Sequence, residues 1–213
     1  MIKAVIFDFG GVLAEEGFRE GLMTIGKQNG LEPDSFYEIS SELVYQTGYI
    51  IGRCDEHSYW SAVREKTGIK GDDRKLREEI LKRFRLRPEM ISYVERMRSF
   101  GLTVAILSDQ TNWLDELNER TPFHHHFDHI FNSFHLRKTK RDTSLFKDIC
   151  DRLNLKPHEV LFVDDSLDNI KRASNQGLRT IHFNNVSEFE KELRRFIKGG
   201  KRRSDEEKGN HRL

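Results

Sequence analysis

"AVIFDFGGVL", residues 4–13, decides the fold. Ala4, Val5, Ile6 and Phe7 form an unbroken apolar run, the pattern of a strand in a parallel sheet that meets water on neither face. The run stops at an acid, Asp8, and two glycines follow at Gly10 and Gly11. Four further short runs repeat the pattern: "TVAIL" (103–107), "HIFNSF" (129–134), "VLFV" (160–163) and "RTIHF" (179–183). Segments of helical period alternate with them. "PEMISYVERMRSFG" has Pro88 placed for a first turn, Ile91, Val94 and Met97 on one face, and Gly101 placed for a stop. "TSLFKDICDRLNL" puts Leu145, Ile149 and Leu153 on one stripe, and "DNIKRASNQG" ends on Gly177. Strand and helix alternate from about residue 85 onward, so the expected fold is α/β, a doubly wound, Rossmann-like parallel sheet of five strands.

Roughly 75 residues separate the first strand from Pro88, far more than a simple crossover needs. Within that interval "DEHSYWSAVREKTG" opens at a capping residue, Asp55, and closes at Gly68, while "DDRKLREEILKRFRL" carries Leu76, Ile80 and Phe84 at helical spacing. Residues 15–84 are therefore expected to be a small inserted helical domain over the carboxyl edge of the sheet, with 1–14 and 85–198 forming the sheet domain. Residues 199–213 have almost no apolar side chains and are expected to be a disordered tail.

At 213 residues and 25.1 kDa, the chain has room for one well-buried core and a modest insert. Thirty-six Lys and Arg against 35 Asp and Glu give a net charge of +1, which excludes the global basic excess of a nucleic-acid binder. Cys54 and Cys150 lie far apart with no CxxC spacing, as suits packed thiols in a reducing compartment. "MIKAVIF" is too short for a signal-peptide core, and no apolar stretch approaches the ~20 residues of a membrane span. A soluble cytoplasmic protein is the expectation, with oligomeric state left open.

Three apolar runs end in the same manner: "AVIFD" at Asp8, "VAILSD" at Ser108 and Asp109, "VLFVDD" at Asp164 and Asp165. In a sheet with right-handed helical crossovers these ends share one edge, the edge at which open α/β sheets bind ligands. Carboxylates crowded there repel one another unless a cation shares the site, and oxygen donors of this kind suit a hard divalent ion such as Mg²⁺. Read blandly, each acid is only a strand end or helix cap. Three such endings together favour a site.

On these residues the chain resembles the haloacid dehalogenase superfamily of hydrolases, over most of its length. "IFDFGGVL" is similar to the superfamily's first motif, "ILSD" to its second, "KRDTSLF" around Lys140 to its third, and "FVDDSLDNI" to its fourth, in register and in order. The insert resembles the superfamily's helical cap, and within that subgroup the chain is similar to some sugar-phosphate phosphatases in having Gly at position 10. The resemblance implies Asp8 as nucleophile, with Ser108 and Lys140 as phosphate-binding and charge-balancing groups. It implies Gly10, Gly11, Ser108, Asp109 and Lys140 around the phosphate. It also implies Mg²⁺ held by Asp8, the Gly10 carbonyl and Asp165, with Asp164 acting through water. The substrate implied is a small phosphorylated metabolite.

The chain departs from that pattern in several places. Gly10 stands where an acid usually serves as proton donor, which leaves the donor unassigned, with His57 in the insert as one candidate. Asp109 stands where Asn is common, where its charge would repel a phosphate unless it turns away. No Pro follows Lys140, and the spacing to Phe146 selects Lys140 over Lys138. The histidines of "FHHHFDH" read as a polar connection in preference to a metal site, "RKTKR" (137–141) as solvated charge apart from Lys140, and Tyr45, Tyr49, Tyr59 and Trp60 as core of the insert in preference to substrate contacts. Three functions remain in view: an Mg²⁺-dependent phosphatase working through an aspartyl-phosphate, a metal-free haloacid dehalogenase using Asp8 on carbon, and a catalytically silent binding protein.

Overall fold

The computed structural model describes residues 1–197, so the expected tail at 199–213 and residue 198 lie outside the described residues. In chain order the elements are β1 (Ala4–Phe7), α1 (Gly17–Gln28), α2 (Pro33–Gln46), α3 (Glu56–Thr67), α4 (Asp73–Leu81), α5 (Pro88–Ser99), β2 (Thr103–Ser108), α6 (Trp113–Arg120), β3 (His129–Asn132), α7 (Ser133–Leu136), α8 (Ser144–Leu153), β4 (Val160–Asp164), α9 (Leu167–Asn175), β5 (Arg179–His182) and α10 (Val186–Ile197). Among the described residues the strands form one parallel five-stranded sheet in the order β3-β2-β1-β4-β5. Strand order reverses at β1, and the crevice beyond its carboxyl end is where such sheets take ligands.

The unbroken apolar runs are explained by burial on both faces. Val5 and Phe7 join one apolar cluster while Ala4 and Ile6 join the other, as the two-residue period of a strand requires. Val104 and Ile106 alternate with Ala105 and Leu107 in the same sense, as do Leu161 and Val163 with Val160 and Phe162. Phe7 has no exposed surface, and truncating a phenylalanine so placed costs about 3–5 kcal/mol.

Helix ends follow the sequence signals closely in places. Asp55 caps α3 by accepting the Ser58 N–H, and Gly68 ends that helix in the left-handed region at φ 75°. Two expectations are corrected. The run "HIFNSF" is a strand only to Asn132; the Asn132 side chain accepts the Phe134 N–H and starts the short α7, turning Ser133 and Phe134 out of the sheet. Phe84 lies beyond the end of α4 and packs its ring on Phe9 instead of continuing the helical stripe.

Helices α1 to α4 lie between β1 and α5, and the two connecting segments pair with each other. Glu15 N–H donates to Arg85 O (2.9 Å) and Arg87 N–H to Leu13 O (2.8 Å). From there the short 3₁₀ turn Tyr49–Ile51 reaches the loop after β2 and the start of α7: Tyr49 OH donates to Asn112 Oδ1 (2.6 Å), and Ser133 Oγ donates to Ile50 O (3.0 Å). Tyr49, Tyr59 and Trp60 are fully buried around Trp113 of α6, the two tyrosines meeting its ring edge-on and Trp60 stacking on it. Their apolar cluster is continuous with one face of the sheet.

Candidate active site

Asp8 follows the last residue of β1, and its N–H donates to Val163 O (2.8 Å), so the backbone pairing of the sheet carries it one step past the strand end. Phe9 N–H donates to Asp8 Oδ1 (2.7 Å), and Lys140 Nζ donates to Asp8 Oδ2 (2.9 Å). The same ammonium donates to Asp164 Oδ2 (2.8 Å). Lys140 is 1% exposed and Asp164 not at all, while Asp8 keeps 13% of its side-chain surface open. A buried lysine needs this company, because an unpaired charge in the interior is prohibitively costly.

The neighbouring groups fix each member of the pair in place. Asp164 also accepts the Ser166 N–H (2.8 Å) and the Asn169 amide (3.2 Å) at the start of α9. Asp109, expected among the phosphate contacts, has its carboxylate held by backbone and side-chain donors. It accepts the Lys140 N–H on both oxygens (2.9 and 3.2 Å) and the Tyr45 hydroxyl (3.3 Å). Its charge thereby anchors the loop bearing Lys140 and ties that loop to α2. Lys138 is engaged with Ser144 Oγ (2.7 Å) and Asp148, away from this group. Ser108 is buried at the end of β2, in register with Asn132.

Oxygens of Asp8, Asp164 and Asp165 all lie within 4.8 Å of one another, and among the described residues this is the cluster able to surround a single ion. The glycines leave room for it. Gly11 has φ 79°, and a β-carbon there would overlap Asp165 Oδ2, so only glycine lets this backbone lie against that carboxylate. Burial pushes the Asp8 carboxyl well above its usual range despite the Lys140 ammonium, with Asp164 and Asp165 acting the same way. Asp165 is likewise raised, by burial and then by Asp164. Burial works against the Lys140 charge, yet Asp164, Asp8 and Asp109 together hold its pKa above the ordinary lysine range. Excess negative charge on hard oxygen donors is the condition a divalent cation relieves.

One acid beside the glycine loop was not singled out from the sequence. Glu16, the cap of α1, accepts the Arg19 N–H on Oε1 (2.8 Å), and its Oε2 would stand 3.2 Å from a β-carbon built on Gly10. A ring carbon of Phe84 would lie at the same distance from that β-carbon. Burial raises the Glu16 carboxyl, partly offset by the Arg19 N–H, and the charge of Asp165 adds to the rise. The signal available in the sequence was "EEGF", an acid one residue before a helix start and close behind the glycines.

Other sequence candidates are placed elsewhere. His57 pairs with Asp73 on an exposed face of α3 and α4, with 76% of its side chain open. His124–His126 form a 3₁₀ turn in which His126 pairs with Glu95, and they are not part of the acidic cluster. Arg137 donates to the carbonyls of Ile51 and Gly52, and Arg141 lies 3.5 Å over the Tyr45 ring and pairs with Glu42. Among the described residues no helix is long and apolar enough to cross a membrane.

Comparison with known proteins gives a consistent picture. Residues 2–177 match the family of haloacid dehalogenase-like hydrolases. The rat protein bifunctional epoxide hydrolase 2 is 29% identical over 111 residues, 49% of this chain and 20% of its own. The (S)-2-haloacid dehalogenase 4A of Burkholderia cepacia is 30% identical over 110 residues, 48% of this chain and 46% of its own. The matched region thus spans a fifth of the rat relative and under half of the bacterial one. A family enzyme of the same fold from Bacteroides thetaiotaomicron superposes with a TM-score of 0.73 at 20% identity, covering 91% of this chain and 98% of its own. That enzyme has also been crystallised with magnesium and inorganic phosphate.

Proposed function

We propose that this chain, which belongs to the haloacid dehalogenase-like hydrolases, hydrolyses phosphate monoesters of small metabolites through an aspartyl-phosphate on Asp8. The observation that carries the reading is the pairing of Asp8 with the buried Lys140 inside a cluster of three carboxylates at the switch point of the sheet. Phosphoryl transfer asks for an in-line oxygen nucleophile and concentrated positive charge around the phosphate, and for little else.

In this reading an Asp8 oxygen attacks phosphorus, the bond to the leaving oxygen breaks, and water then hydrolyses the aspartyl-phosphate. Ser108 and the amides of Gly10 and Gly11 receive the phosphate oxygens, and Lys140 offsets their charge. Asp109 acts on the loop that carries Lys140 and leaves the phosphate alone. Asp8, Asp165 and the Gly10 carbonyl would hold Mg²⁺, with Asp164 reaching it through water. When bound, the ion supplies positive charge that lets a carboxylate approach an anionic phosphate. The donor set fits this assignment, being all oxygen, anionic and crowded. Helices α1 to α4, within the inserted segment 15–84, would cap the site and choose the substrate, a sugar phosphate being one class that fits.

Halide displacement from carbon is the competing reading, favoured by the 30% identity to the Burkholderia dehalogenase. Attack on carbon without metal gains nothing from the anions of Asp164 and Asp165 beside Asp8, which is why phosphate is preferred. The test is a panel of phosphate monoesters and 2-haloacids assayed with Mg²⁺ and with chelator. Phosphate release that needs Mg²⁺ and vanishes in a folded Asp8→Asn variant supports the proposal. Halide release in chelator, or silence across the panel, overturns it.

A further inference from the structure

A phosphate monoester with an ordinary alcohol as its leaving group needs a proton on the departing oxygen, since an alkoxide is too basic to leave unaided. In most of the acids around Asp8 both carboxylate oxygens are committed. Asp8 holds Lys140 and the Phe9 N–H, Asp164 holds Lys140, Ser166 and Asn169, and Asp109 holds the Lys140 N–H and Tyr45. Asp165 lies against Gly11 in the metal cluster. Residue 10, two positions beyond Asp8, has no side chain with which to act.

Glu16 fills that vacancy in space. Its Oε2 stands 3.2 Å from where a β-carbon of residue 10 would be, so its carboxyl occupies the volume that a side chain at position 10 would enter. The other oxygen, Oε1, is held at 2.8 Å by the Arg19 N–H, which fixes the side chain at the start of α1 and leaves Oε2 facing the glycine loop. Gly21 helps hold that helix in position, since a β-carbon there would meet the Ile80 backbone at 2.6 Å and α1 is packed closely on α4. Tyr37 of α2 carries the Arg19 guanidinium 5.0 Å over its ring, which ties the first turn of α1 to α2.

We infer that Glu16 is the proton-transfer residue of this site, supplied by the first inserted helix in place of a side chain at position 10. The inference rests on the phosphatase reading above. In the first half-reaction an Asp8 oxygen forms its bond to phosphorus, the phosphorus–ester oxygen bond breaks, and Glu16 Oε2 gives its proton to that oxygen, which leaves as the alcohol. In the second, the Glu16 carboxylate takes a proton from water as the water oxygen bonds to phosphorus. The aspartyl bond breaks, releasing inorganic phosphate and restoring Asp8. A proton donor contributed by the insert has a further consequence. Protonation of the leaving group then requires α1 to be seated against the sheet, which couples chemistry to the element that surrounds the substrate.

The experiment uses full-length protein with Mg²⁺ and a series of phosphate monoesters from 4-nitrophenyl to simple alkyl, comparing wild type with Glu16→Gln. Glutamine still accepts the Arg19 N–H, so the helix start is kept while the proton is lost. Wild-type kcat/KM is expected to depend only weakly on leaving-group pKa. Glu16→Gln is expected to lose about 10²- to 10⁴-fold on alkyl esters, with the loss shrinking toward the nitrophenyl ester, so that the dependence becomes steep. A steep dependence already present in wild type overturns the inference without any variant. So does a loss in Glu16→Gln that is uniform across the series, or no loss at all. Hydrolysis of the series by wild type in any of these cases leaves the phosphatase reading standing. A wild type that hydrolyses no ester removes that reading and the inference with it.

Discussion

Replacing Lys140 by methionine keeps most of the side-chain volume and removes the charge, which isolates the contribution of the ammonium. Lys140 is 1% exposed and stands 2.9 Å from Asp8 and 2.8 Å from Asp164, the latter with no exposed surface. Breaking a buried pair by deleting one partner typically costs about 3–5 kcal/mol, because the surviving charge is stranded in the interior. With a urea m-value of about 2–3 kcal/mol/M for a chain of this size, the midpoint of unfolding should fall by roughly 1–2.5 M. Lys138→Met is the internal control. Lys138 is 29% exposed, and a pair of that kind contributes about 0.2–1 kcal/mol, so its midpoint should shift by less than about 0.5 M. Urea unfolding followed by circular dichroism should be done in chelator, so that no cation substitutes for the lost charge. Adding Asp164→Asn to Lys140→Met should recover part of the loss, since the stranded anion is then neutral while its oxygen still accepts the Ser166 N–H. Equal midpoint shifts for the Lys140 and Lys138 variants would refute the assignment of Lys140 as the buried partner of the acidic cluster.

Other expectations follow from the same contacts. Gly11→Ala should raise the Mg²⁺ concentration for half-maximal activity by tenfold or more, equivalent to about 1.4 kcal/mol, because its β-carbon displaces Asp165 and its φ of 79° is strained for alanine. A magnesium titration of initial rates checks this. Asp109→Asn should keep most of the activity, since one oxygen still accepts the Lys140 N–H, whereas Asp109→Ala should lose markedly more as the Lys140 loop comes free. Steady-state kinetics on the two variants separates them. At acid pH, Glu159 contributes through Lys3 and the Lys156 N–H, which lower its carboxyl from the ordinary 4.5 to about 2. A depressed carboxyl adds stability that is complete above its unfolded pKa and is lost as pH falls through its folded one, so this share disappears between about pH 4.5 and 2. In thermal melts Glu159→Gln should therefore differ from wild type most at neutral pH and converge with it in acid.

What could be read in the sequence is what depends on short-range pattern. Ala4 to Phe7, with the acid that follows, showed both the buried strand and the polar edge beyond it, because a strand's environment is written in adjacent residues. Asp55 and Gly68 bounded α3 for the same reason. Reading failed where a neighbour distant in sequence decides. Phe84 holds the helical spacing of Leu76 and Ile80, yet α4 ends at Leu81 and the ring turns to Phe9. Asn132 redirects the chain by accepting a backbone N–H, which no apolar count detects. Asp109 reads as a site acid, and the direction of its carboxylate depends on Lys140, 31 residues away. Glu16 meets Gly10 only through the turn into α1, a proximity that no local pattern of residues encodes.

The packing of Tyr49, Tyr59 and Trp60 against Trp113 also bears on how the molecule comes apart. These rings and the sheet residues Val5, Phe7 and Ile106 belong to one apolar cluster that runs from α2 and α3 into the sheet. Detaching the inserted helices would expose Trp113, which has no exposed surface in the fold, before a single strand had parted. Partial unfolding therefore exposes core that the two parts share, and they are expected to melt cooperatively. Tryptophan fluorescence from Trp60 and Trp113, far-ultraviolet ellipticity and calorimetric heat should accordingly trace a single coincident transition.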